Sequence, residues 1–164
     1  AYAPLSGSIV SQGMWDVLVR GSDQLGPIGH GWTYSAHPIC AAAGVANLNL
    51  IDELGLVKNA GEVGTYFRKN LSDALSSHKN VGEVRGDGLM AAVEFVEDKQ
   101  DRHFFEPERK IGPSISAALL EEGVIGRAMP QGDILGFAPP LCMTTDEADI
   151  VVKAVERSVR KVLG

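Results

Sequence analysis

The residues best suited to chemistry lie together in the stretch Gly29-His30-Gly31-Trp32-Thr33-Tyr34-Ser35-Ala36-His37-Pro38. Three consecutive hydroxyls, on Thr33, Tyr34 and Ser35, follow a glycine-rich loop and precede a proline. Hydroxyls and loop amides together can grip an anion such as a phosphate without adding charge. The same residues suit a plainer task, because Ser35 or His37 stands where a helix N-cap belongs. On spacing alone the cap is the simpler reading. Other chemistries have less support. His30, His37, His78 and His103 have no partner at metal-ligand spacing, and Cys40 and Cys142 form no CxxC pair. No GxGxxG, P-loop or GxSxG occurs.

The elements that must position these residues follow from the apolar pattern. Residues 1–8 read as a loop, and Ser8 to Val19 as a short helix. Gly21, Gly26, Pro27, Gly29 and Gly31 predict an irregular, shaped loop as far as Trp32. Pro38 suits the first turn of a helix. The run Ile39 to Leu54 is apolar nearly all round, which predicts a buried helix ending at Gly55. Val57 to Ser77 predicts an amphipathic helix, with Val63, Phe67, Leu71 and Leu75 at helical spacing. Val81 to Val96 reads as two strands joined at Gly86-Asp87-Gly88. A polar loop over 97–107 and a helix over Ile111 to Glu122 follow. Two short strands come next, Val124 to Arg127 and Ile134 to Phe137. The last helix is capped by Thr144 with Glu147 and buries Ile150, Val151, Ala154, Val155, Val159 and Val162. Helices and short strands are segregated, so the fold class is α+β, a small antiparallel sheet covered by helices.

Composition narrows the function classes. The chain has 164 residues, 45% hydrophobic and 22% charged, an ordinary globular balance. Net charge is -6 and no basic stripe occurs, which argues against a nucleic-acid partner. Arg157, Arg160 and Lys161 read as the solvated face of the last helix. Both cysteines lie in apolar runs and read as small buried hydrophobes. No apolar run reaches membrane-spanning length and no signal peptide is visible, so no membrane partner and a cytoplasmic location are expected.

Four motifs in order resemble the class III pyridoxal-phosphate-dependent aminotransferases, the group that includes omega-amino acid:pyruvate enzymes. His30-Gly31-Trp32-Thr33-Tyr34-Ser35-Ala36-His37-Pro38-Ile39-Cys40-Ala41-Ala42-Ala43 resembles that family's HG(F/Y)TYS(G/A)HPVACAA signature. Tyr2-Ala3-Pro4-Leu5-Ser6-Gly7-Ser8 is similar to the segment after its catalytic lysine. Val84-Arg85-Gly86-Asp87-Gly88-Leu89-Met90 is similar to its VRG-x-GLM turn. Gly123 to Arg127 with Gly132 to Leu141 is similar to its substrate-side strands. The resemblance spans essentially the whole chain.

The resemblance implies roles. Thr33 would bind the cofactor phosphate across a dimer interface, and Trp32 would line the neighbour's site or pack at the interface. Arg127 would pair with a substrate carboxylate. Arg85 is expected to bond loop carbonyls in its turn, and Pro139-Pro140 to form a bend. The catalytic lysine is expected upstream of Ala1, because Lys58, Lys69, Lys79, Lys99, Lys110, Lys153 and Lys161 match no motif position. Residues 1–55 would then be the end of a large pyridoxal 5'-phosphate domain of fold type I, and 56–164 the small C-terminal domain. The parent protein would move an amino group from an amine or omega-amino acid to a keto acid such as pyruvate, as a homodimer with shared sites. The chain alone is expected to be inactive. Racemases, decarboxylases and aminomutases share the scaffold and stay open, as does a non-catalytic α+β binding or dimerisation module.

Overall fold

A computed structural model describes residues 2–101 and 103–164. The chain divides into two compact units, Ala1–Glu53 and Leu54–Gly164.

The first unit holds two helices, α1 (Gln12–Leu25) and α2 (Pro38–Glu53). Ser11 caps α1, its Oγ accepting the Met14 N–H at 3.3 Å. The loop expected from Gly21 onward starts later, because α1 runs through Gly21 to Leu25. One glycine inside a helix costs only about 1 kcal/mol. What ends the helix is Gly26, whose φ of 87° most side chains resist. The buried α2 expected from its composition is also corrected. None of its residues is buried, and Ile39 and Leu48 are 71% and 64% exposed. Apolarity on all sides says that a helix needs cover, not that its own chain provides it.

The second unit builds a core of its own. After α3 (Leu56–Leu75) come strands β1 (Val81–Asp87) and β2 (Met90–Phe95), then α4 (Ile111–Glu121). Strands β3 (Arg127–Ala128) and β4 (Ile134–Phe137) and the closing helix α5 (Thr145–Leu163) follow. The four strands form one antiparallel sheet in the order β1-β2-β4-β3. Successive residues alternate between its faces. Val93, Phe95, Leu135 and Phe137 point to the inner face, where α3, α4 and α5 supply Phe67, Leu71, Ile115, Leu119 and Val155. The Phe67 and Phe137 rings meet edge to face, 5.9 Å between centroids.

The α+β expectation holds, and the capping box at Thr144 and Glu147 is present. Three details differ. The segment 124–126 before β3 is not strand. Ile150 is 60% exposed, because α5 buries Ala148, Val152, Val155 and Val159, and Ile150 lies about 200° round the helix from Ala148. Cys40 is half-buried and Cys142 exposed, so neither is a core hydrophobe. Among the described residues no single helix is long and apolar enough to cross a membrane.

Candidate functional site

In the first unit, the segment joining the two helices is a tight double turn. Ser35 N–H donates to the Trp32 carbonyl at 2.9 Å and His37 N–H to the Tyr34 carbonyl at 3.2 Å. The Trp32 N–H donates back to Ser35 Oγ at 3.0 Å. Ala36 takes the left-handed conformation at φ 58°, which aims the chain into Pro38 and α2. Ser35 therefore locks the turn instead of capping α2, and among the described residues the His37 ring caps nothing either: its Nδ1 is buried without a partner. The Thr33 side chain is exposed and makes no hydrogen bond to any described residue. Trp32 and Tyr34 are exposed as well, Trp32 packing edge-on against His30 at 5.0 Å. Trp32, Tyr34, Ser35 and His37 line a 510 Å³ cleft closed on another side by Pro4 and Leu5.

This turn fits a phosphate. The Thr33 hydroxyl is free to donate, and between Asp23 and Asp52 no carboxylate occurs to repel an anion. It does not supply an amine: every lysine lies in the second unit, and each is exposed.

In the second unit, Arg127 opens β3. Gly126 before it is buried, and a Cβ there would fall 2.7 Å from Leu119 Cδ2 and 3.0 Å from Leu135 Cδ1. The absent side chain lets β3 lie against the core. The β3–β4 hairpin closes through the Met129 N–H donating to the Ile134 carbonyl at 2.9 Å. Register then aligns Arg85, Ala92, Gly136 and Arg127 in one row across the four strands. The two arginines stand about 14 Å apart, three strand spacings of roughly 4.8 Å. They differ in pairing. Arg85 bonds Glu83 and Glu94, both at 2.8 Å, which raises its already high pKa, the Glu94 bond foremost. Arg127 forms no ion pair with any described residue. It borders a 690 Å³ cleft whose other walls include Met90, Ala92, Met129 and Ile134.

Arg85 thus holds carboxylates, not the loop carbonyls expected of it. The arginine that grips the β1–β2 turn is Arg68 on α3, donating to the Gly88 carbonyl. Sequence spacing gave no sign of Arg68, because the pair is joined only by packing. Thr33 and Trp32 share one turn, whereas Arg127 belongs to the other unit. No group of three or more metal-binding side chains is assembled among the described residues.

A helical unit with a hydroxyl turn and an α+β unit with an arginine outside any ion pair among the described residues make up the chain, and comparison with known proteins identifies its class. The model of the aminotransferase class-III family matches residues 4–159. The chain belongs to that family, whose cofactor is pyridoxal phosphate. It is 54% identical over 162 residues to a diaminobutyrate–2-oxoglutarate transaminase of Halomonas elongata, covering 99% of this chain and 34% of that protein. An uncharacterised aminotransferase of Sinorhizobium fredii is 48% identical, with 99% of this chain and 35% of that protein covered. A transaminase structure from directed evolution by ancestral reconstruction superposes with a TM-score of 0.95 at 57% identity, over 98% of this chain and 35% of that one. An (S)-enantioselective omega-transaminase of Thermomicrobium roseum gives 0.85 at 36% identity, over 94% and 33%. The chain spans about a third of the length of the curated relatives it matches (34% and 35% for the two above).

Proposed function

We propose that the complete protein carrying this chain moves an amino group from an amine or omega-amino acid to a keto acid such as pyruvate. The observation that supports this most is the guanidinium of Arg127, without an ion pair among the described residues, beside a mostly apolar cleft. A guanidinium fork pairs with a carboxylate through two parallel hydrogen bonds, and the apolar wall receives the carbon chain. The Thr33 hydroxyl donates to the cofactor phosphate, and Trp32 packs beside it. Both act at a neighbouring subunit's cofactor, which makes the enzyme a homodimer. Pyridoxal phosphate, when bound, supplies the carbonyl that takes up the amino group and the ring that accepts the electron pair. We assign the first unit to the end of a large cofactor domain and the second to a small C-terminal domain.

The chain by itself does not transaminate on this reading. An imine-forming lysine is a desolvated amine beside its cofactor, and none of the seven lysines is buried. A second reading concerns the acceptor. The Halomonas elongata relative is named for 2-oxoglutarate, whose distal carboxylate suits Arg127 better than pyruvate, which has none to spare.

The test compares amino transfer to both keto acids by the complete protein. Arg127→Gln lowers kcat/KM for the carboxylate-bearing partner by about 10–100-fold, the worth of a charge-assisted hydrogen bond. Thr33→Ala weakens cofactor retention by roughly tenfold on the same scale. The 164-residue chain with added cofactor, pyruvate and an amine forms no alanine; alanine formation would overturn the assignment of a missing lysine.

A further inference from the structure

The floor beside Arg127 has a feature that carboxylate capture does not use. In the row Arg85–Ala92–Gly136–Arg127, the two smallest residues stand in the middle. Gly136 is not at positive φ, so backbone geometry does not demand glycine there. What its missing Cβ leaves is room. A Cβ would lie 3.4 Å from Met129 Sδ, 3.9 Å from Met129 Cγ and 3.7 Å from the Arg127 carbonyl oxygen. The thioether therefore lies down on Gly136. Met129 sits two residues past Arg127, on the same side of the hairpin. A side chain at 136 that lifted the thioether would lift it beside the guanidinium, into the cleft.

We propose that Gly136 is a seat for Met129, and that the seated thioether sets how long a carbon chain the cleft accepts below the carboxylate on Arg127. This rests on the function proposed above and narrows it. The part of the partner it reads is the alkyl chain that separates the carboxylate from the reacting carbon. The chain lies on Ala92 and the thioether, an unbranched and polarisable surface that fits methylenes well. Met129 and Gly136 are specificity residues on this account, and Arg127 bears the charge, since Arg85 on the same cleft is held by Glu83 and Glu94.

The experiment is a graded series in the complete protein. Alanine at 136 would place Cβ at the edge of contact with Sδ. Valine adds γ-methyls about 1.5 Å further out, which must displace the thioether. Valine also suits a strand face, so the fold is kept, and an unchanged melting temperature verifies it. Gly136→Val raises KM for a carboxylate-terminated donor about tenfold with kcat retained, the signature of lost binding in a pocket altered by a methylene or two. Gly136→Ala gives a smaller rise. The Met129 ε-methyl resonance shifts in Gly136→Val, and adding Met129→Ala to that variant returns KM most of the way. A KM unaltered by Gly136→Val, or raised but not relieved by Met129→Ala, overturns the seat. Arg127→Gln in the same assay separates the two levels: a KM it leaves unaltered overturns the carboxylate reading itself. If Arg127→Gln raises KM and Gly136→Val does not, only the seat falls.

Discussion

The two units of this chain share an apolar character and use it in opposite ways. In Leu54–Gly164, Phe67, Leu71, Phe95, Ile115 and Leu135 are fully or almost fully buried against one face of a sheet. In Ala1–Glu53 no described residue is buried, although α2 is more hydrophobic than α3. The difference lies in patterning. Helix α3 has a stripe, so the sheet and the neighbouring helices can close over it while its polar side meets water. Helix α2 is apolar on every side and has small residues at Ala41, Ala42, Ala43 and Gly44. Among the described residues no sheet lies in its unit to receive it. A stripe encodes a core within the unit; all-round apolarity encodes only a demand for neighbours. Each unit nevertheless carries one candidate element of the proposed site, the turn ahead of α2 and the arginine at the head of β3.

That contrast can be broken by mutation. The largest effect is expected at Phe67, where Phe67→Ala removes a ring packed on Phe137 and costs about 3–5 kcal/mol. Leu48→Ala on exposed α2 costs no more than about 0.5 kcal/mol in the isolated chain, the usual range for surface sites. Urea denaturation of the two variants measures the gap, and equal costs would mean that the units fold around a common core. Next comes Gly126→Ala, which forces a methyl against Leu119 and Leu135 and destabilises by about 1–3 kcal/mol. Because Gly126 adjoins Arg127, this variant is also expected to weaken carboxylate binding. Thr144→Ala removes the hydroxyl that accepts the Glu147 N–H and costs about 1 kcal/mol, read as a lower melting temperature.

The smallest effect is a pH dependence confined to the second unit. Burial, with Lys79 and Arg160 nearby, holds the His78 imidazole below its ordinary pKa. Its Nδ1 accepts the Asn80 N–H at 3.2 Å, while Nε2 is buried without a partner among the described residues. A folded pKa below the unfolded one means that the unfolded chain binds the proton more readily. Stability is therefore full above the ordinary imidazole range, near pH 6.5, and declines as the pH falls through the lowered folded value. His78→Gln should flatten the urea midpoint between pH 7.5 and 5.5; an unchanged slope would place the dependence on other groups.

Much of this was legible in the residues. Local rules carried far: Pro38 opens α2, Gly55 follows it, and Thr144 with Glu147 caps α5. The Gly86-Asp87-Gly88 turn marked β1 and β2, Ile134 to Phe137 read as the strand that is β4, and the four motifs identified the family. Misreadings arose where a local rule met a competing one. Gly21 looked like a breaker and was carried inside α1, because one glycine costs less than a whole turn of helix contributes. Ser35 looked like a cap and instead closed the turn around Thr33.

The sequence alone determined most element types and the family, and it marked residues whose chemistry suits a phosphate or a carboxylate, because these depend on side-chain chemistry and on motifs of a few residues. Only the tertiary structure decided which arginine is free. Glu83 stands two residues before Arg85 in the chain, but only the register of the sheet adds Glu94 from the neighbouring strand, and Arg127 has no carboxylate partner among the described residues. Strand pairing joins residues far apart in sequence, and no local spacing records the charge on the strand next door.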